Sequence, residues 1–115
     1  MTAAAKTKRK RGPRSLLWCA KRDAKKRGLK WLLGDHRALA LMTQPCYWCG
    51  EPAAPYSGID RLNNESFYRA ANAVPCCWPC NRAKRTMTAE EWIRFCARVV
   101  AHRHFVVANG IGKLV

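Results

Sequence analysis

Two Cys-x-x-Cys pairs constrain this chain more than any other feature in it. Cys46 and Cys49 form one pair, Cys77 and Cys80 the other, with 27 residues between them. Zinc takes four soft ligands at tetrahedral corners, and one tight Cys-x-x-Cys turn delivers two of them. Paired turns at this separation predict one structural zinc per chain, held by four thiolates. The competing reading, buried or redox thiols, has to account for two equal spacings beside turn residues in a basic chain without a secretion signal. Cys19, Cys76 and Cys96 remain. A reducing compartment, with these as thiols, fits an odd cysteine count better than a disulfide framework does.

A chain of 115 residues builds one small domain. Residues 1–14 carry no large apolar side chain beyond the initiator Met and are expected to be a disordered basic arm. Residues 15–103 are expected to form a zinc-stapled domain with a leading and a trailing helix. Residues 104–115 form an apolar tail that could add a strand, cover the core or meet a protein partner. A core this small commonly recruits a metal.

Charge narrows the partners. Lys and Arg number 22 against 7 Asp and Glu, a formal +15, and 12 of the 22 fall within residues 1–30, where Asp23 is the one acid. So dense a block repels itself until an anion arrives, which points to a nucleic-acid backbone. The candidate contacts are Lys8, Arg9, Lys10, Arg11 and Arg14 in the arm, Lys21, Arg22, Lys25 and Lys26 in the first helix, and Arg61, Arg82, Lys84 and Arg85 further on. An anionic membrane is disfavoured, because no apolar segment follows the arm to act as an anchor or signal. The chain is expected to be intracellular and non-secreted, in a nuclear, organellar or viral setting. KTKRKR (residues 6–11) suits either a nuclear-import signal or a nucleic-acid tail.

Residues 15–27 read as a helix with Leu16, Leu17, Ala20 and Ala24 inward, Ser15 as cap and Gly28 as stop. Residues 29–33 read as a short extended piece, followed by a brief helix from His36 to Met42 capped by Asp35. Tyr47 and Trp48 either shield the metal or stack on a base. SGIDRL (residues 57–62) reads as a strand with Ile59 and Leu62 inward, Asn63-Asn64 as the turn, and Phe67-Tyr68 as the start of the return. A short helix should begin at Cys80 with its basic side exposed. Thr88 to Glu91 form a capping box, and the helix it opens sets Trp92, Phe95, Cys96, Val99 and Val100 on one core-facing side.

The order of motifs across residues 15–103, Cys-x-x-Cys-Gly, IDRLNN, an Asn at 72, then Cys-x-x-Cys-Asn-x-x-Lys, resembles a zinc-stapled HNH endonuclease domain of the small phage or mobile-element type. That resemblance implies an α+β fold: a ββα-metal core with flanking N- and C-terminal helices. It implies that Cys46, Cys49, Cys77 and Cys80 hold structural zinc. Asp60 and Asn81 would hold a catalytic Mg²⁺ or Mn²⁺, and Asn72 would tie the hairpin loop and orient the base. Both donors are hard oxygen ligands suited to such an ion.

The chain departs from that pattern at one place. The family has histidine directly after the hairpin acid, and here Arg61 stands there. Arginine stays protonated and cannot take a proton from water, so its expected roles are to grip phosphate or stabilise charge. His36, His102 and His104 do not match the base position. The implied function is a metal-dependent endonuclease hydrolysing DNA phosphodiesters without the usual base. The alternative is an HNH-derived zinc module that only binds DNA or RNA, as part of a larger ribonucleoprotein. A protein-interaction adaptor using the apolar tail is the third reading.

Overall fold

The structure, a computed structural model, describes residues 12–110. Helix α1 spans Pro13–Lys26 and α2 spans Asp35–Leu41. Strand β1 (Gly58–Arg61) pairs with β2 (Ala73–Cys76), and α3 (Trp78–Lys84) and α4 (Ala89–Ala108) follow. The result is a small α+β arrangement with one two-stranded antiparallel sheet.

Helix α1 begins earlier than its Ser15 suggests. Gly12 takes the cap position and Pro13 opens the first turn, where a missing N–H costs nothing. Pro13 and Arg14 therefore belong to the helix and not to the arm. Gly28, at φ +71°, ends it as expected. Likewise Asp35 is the first residue of α2, with Gly34 at the cap. Its carboxylate pairs with Lys21 across the α1–α2 contact.

The main core lies where these two helices meet the sheet. Leu17, Leu33, Ala38, Leu41, Met42 and Ala73 are buried together, with Leu16, Trp31, Tyr56 and Ile59 packed against them. The extended piece before α2 is pinned from its far side: Leu32 N–H donates to Tyr68 O (2.8 Å), Tyr68 N–H donates to Lys30 O (3.1 Å), and the Trp31 and Tyr68 rings lie 4.6 Å apart.

The sheet differs from expectation in its return. Tyr68 pairs with Trp31, not with β1, and the return strand is Ala73–Cys76, in register Asp60 opposite Val74. The loop between the strands is held shut by one buried side chain, Asn72. Its Oδ1 accepts from Asn63 N–H (2.8 Å), and its Nδ2 donates to Asn63 O (3.1 Å) and Phe67 O (3.0 Å). An amide offers both donor and acceptor, which is what this loop demands.

The fourth helix is the second departure. Thr88 and Glu91 form the anticipated capping box, but only Trp92 and Val106 are buried along α4. Phe95, Val99 and Val100, expected to face the core, are exposed, as are Ile93, Phe105 and Val107. Cys96 is half-buried. The helix also runs on to Ala108, past the boundary placed at residue 103. The last residues of the tail, 111–115, lie outside the described residues.

Removing the Asn72 amide takes away the partner of one loop N–H and two loop carbonyls. Asn72→Ala should therefore cost about 3 kcal/mol in urea unfolding of the zinc-loaded protein, with little change in the slope.

Candidate metal centre and active site

The four cysteines of the two pairs converge. The sulfurs of Cys46, Cys49, Cys77 and Cys80 lie within 4.8 Å of one another, and Cys49 and Cys77 Sγ are 3.7 Å apart. Ligands about 2.3 Å from a tetrahedral zinc stand about 3.8 Å from each other, so the cluster is sized for that ion. Gly50, at φ +77°, closes the first turn by donating to Cys46 O (2.9 Å). Tyr47 N–H donates to Pro75 O (2.8 Å), which fastens this turn to β2. The second turn is the start of α3: Cys77 is its cap residue, and its carbonyl accepts from Asn81 N–H (3.0 Å).

The electrostatics of the cluster call for a cation. Burial works against ionising Cys46, but backbone N–H groups of Cys77, Cys49 and Trp48 outweigh it and hold the thiol down to about 6. Burial together with the neighbouring sulfurs raises Cys77 and Cys80. One thiolate forms readily here; four require a metal dication among them. Four cysteines are thus placed to hold a metal ion, and all-sulfur tetrahedral geometry suits zinc. Cys76 stands apart: it is buried, burial raises its thiol, and its Sγ contacts Cys77 O (3.3 Å).

The second candidate centre is organised by an ion pair that sequence reading missed. Lys84, expected to be an exposed nucleic-acid contact, is fully buried. Its Nζ lies 3.1 Å from Asp60 Oδ2, 5.6 Å from the Trp48 ring centre and 3.5 Å from Asn64 Oδ1. Trp48 Nε1 donates to the same Asp60 oxygen (3.3 Å).

Arg61 is also turned inward. Its Nη1 donates to Asn64 O (2.6 Å) and Ser66 O (2.9 Å), and its guanidinium lies 5.7 Å from the Tyr68 ring centre. This differs from the expected phosphate grip: the arginine braces the hairpin loop. Asn64 continues the network, donating to Thr86 O (2.9 Å) and Met87 O (2.6 Å) at the α3–α4 link.

Asn81 is exposed and lines a cleft of about 410 Å³ with Asp23, Ile59 and Trp78. Asp60 does not line that cleft; adjacent residues of a strand point to opposite faces. Asp60 already has a cation beside it. Among the described residues no hydrogen bond or ion pair joins Asp60 to His36, His102 or His104, all of which are exposed.

The remaining basic candidates divide clearly. Arg14, Arg22, Lys25 and Lys26 on α1 are exposed, as are Arg82 and Arg85 at α3; Lys21 is half-buried against Asp35. Lys8, Arg9, Lys10 and Arg11 lie outside the described residues. No described helix is long and apolar enough to cross a membrane.

No protein-family model matches the chain. An uncharacterised protein of Acanthamoeba polyphaga mimivirus is 32% identical over 74 residues, which make up 64% of this chain and 14% of that protein. Among solved structures, the rare-cutting HNH restriction endonuclease PacI, described for its perturbation of DNA, is similar with a TM-score of 0.63. The identity is 18%, over 97% of this chain and 93% of that one. The likeness shows a shared fold across nearly the whole chain.

Two measurements test the site. Cys77→Ala should abolish tight zinc binding and largely unfold the chain, whereas Cys76→Ala should keep one zinc by elemental analysis. Lys84→Met should cost about 3–5 kcal/mol, because it strands a buried carboxylate. Adding Asp60→Asn should recover most of that loss in the same unfolding assay.

Proposed function

We propose that this protein is an HNH-like endonuclease that hydrolyses DNA phosphodiesters and works without a histidine base. The observation that carries the reading is the likeness to an HNH restriction endonuclease over 97% of the chain. Asp60, Asn72 and Asn81 support it, standing on the hairpin, at its loop and on the following helix in the order such a domain uses.

Asp60 and Asn81 are the residues that would hold a Mg²⁺ or Mn²⁺, and their oxygens fit such an ion in kind. When bound, that ion supplies positive charge to offset the charge growing on the scissile phosphate and leaving oxygen. The chain's own residues do the rest. Asn72 keeps the loop closed, Arg61 fixes the turn, and the exposed arginines of α1 and α3 draw the nucleic-acid backbone. Lys84 supplies one positive charge at Asp60, so a divalent ion there competes with a buried ammonium. Absence of a base typically costs about 10²–10⁴-fold in rate, so turnover is expected to be slow.

A second reading is favoured by that same ion pair. With Asp60 held by Lys84 and Arg61 held by loop carbonyls, the chain would bind nucleic acid and not cut it.

Plasmid cleavage by the zinc-loaded protein, with and without added Mg²⁺ or Mn²⁺, separates the two. Nicking that depends on the added ion and falls to background in Asn81→Ala supports the enzyme. Asn81 is exposed, so this variant should keep its fold and its zinc. Tight DNA binding with no nicking in either ion overturns the endonuclease reading and leaves the binding module.

A further inference from the structure

The structure carries two copies of one surface device, whose tryptophans the proposed reaction leaves unused. Trp18 on α1 is 61% exposed and Trp78 on α3 is 67% exposed. Each has an arginine four residues later lying over its ring: Arg22 at 5.2 Å from the Trp18 centroid and Arg82 at 4.9 Å from that of Trp78. The other three tryptophans are at least partly buried with partners of their own. Trp31 stacks on Tyr68, Trp48 donates to Asp60, and Trp92 is buried at the start of α4.

Both devices sit in basic surroundings, although Asp23 pairs with Arg22 at 3.3 Å and also lines the Trp78 cleft. Arg14, Trp18 and Arg22 follow one another at four-residue spacing along the outer stripe of α1, and Lys25 extends it, all exposed. Leu17 and Ala24 occupy the buried side of the same helix. On α3, exposed Arg85 follows Arg82, and Trp78 shares its cleft with Asn81. A lone exposed tryptophan is unremarkable on a protein surface. Two that each carry an arginine at the same helical spacing, on a chain of formal charge +15, call for a ligand that is both flat and anionic.

We infer that Trp18 and Trp78 are stacking platforms for unpaired bases, and that this protein prefers an unpaired stretch of DNA to intact duplex. In a duplex the base faces are hidden in the stack, so an indole on a helix surface meets only their edges and the backbone. Once a strand is open, each ring offers its face to a base while the adjacent arginine reaches the neighbouring phosphate. The inference rests on the proposed action on nucleic acid and adds the form of the strand.

The test is fluorescence polarisation with a labelled single strand of about 16 nucleotides, the same strand annealed to its complement, and an RNA of the same sequence. No Mg²⁺ or Mn²⁺ is added, so nothing is cut. Wild-type protein should bind the open DNA strand more tightly than the duplex. Trp18→Ala and Trp78→Ala should each weaken single-strand binding by about 5- to 100-fold while changing duplex binding less than about twofold. Trp→Phe at either site should restore part of the loss, and zinc content should be unchanged in all variants. Equal single-strand affinity in wild type and both alanine variants overturns the inference while leaving nucleic-acid binding intact. A tenfold preference for the RNA that depends on the same tryptophans overturns the assignment to DNA. Failure to bind any of the three overturns the proposed function itself.

Discussion

One buried lysine holds the second half of this molecule to the first. An ammonium removed from water is tolerated only where its charge is met and its donors are used. Lys84 meets Asp60 at 3.1 Å, lies against the face of Trp48 and approaches Asn64. Each of those partners belongs to a different part of the chain: strand β1, the first zinc turn, and the hairpin loop. The pair therefore ties α3 to β1. The four-cysteine cluster and the ion pair draw on opposite ends of α3, so each constrains the helix the other holds.

The same economy explains why the hairpin looks unlike an open catalytic centre. Asp60 and Arg61 are adjacent and oppositely charged, yet they do not pair with each other, because strand geometry sends them to opposite faces. Asp60 turns to Lys84, while Arg61 turns back onto the carbonyls of Asn64 and Ser66. A histidine at position 61 could not make both of those bonds at once, having fewer donors and a shorter reach. Arg61 thus holds the loop more firmly than a histidine could from the same position.

What could be read from the residues alone was whatever depends on local spacing. The zinc cysteines, the capping box of Thr88 and Glu91, and the stop at Gly28 each rest on a few neighbouring residues whose chemistry leaves little choice. The errors share one cause, a dependence on distant partners. Nothing near Lys84 in the chain distinguishes it from exposed Arg82 and Arg85; only the approach of Asp60, 24 residues earlier, does so. Phe67-Tyr68 has strand-forming composition, but Trp31 claims Tyr68 before β1 can. In α4 the helical periodicity matches the helix, but periodicity reports an apolar face and not what covers it. Phe95, Val99 and Val100 remain exposed among the described residues.

The neighbouring cysteines where β2 meets α3 add a consequence for register. Cys76 and Cys77 are consecutive, and only the second belongs to the four-cysteine cluster. Cys76 closes the strand opposite Gly58, where even a methyl group would come within 3.3 Å of its carbonyl oxygen. If β2 slipped by one residue its faces would exchange, and the wrong thiol would be offered to the cluster while Asn72 lost its loop. The bare backbone at position 58 is what lets Cys76 close the strand opposite it without pushing the two strands apart.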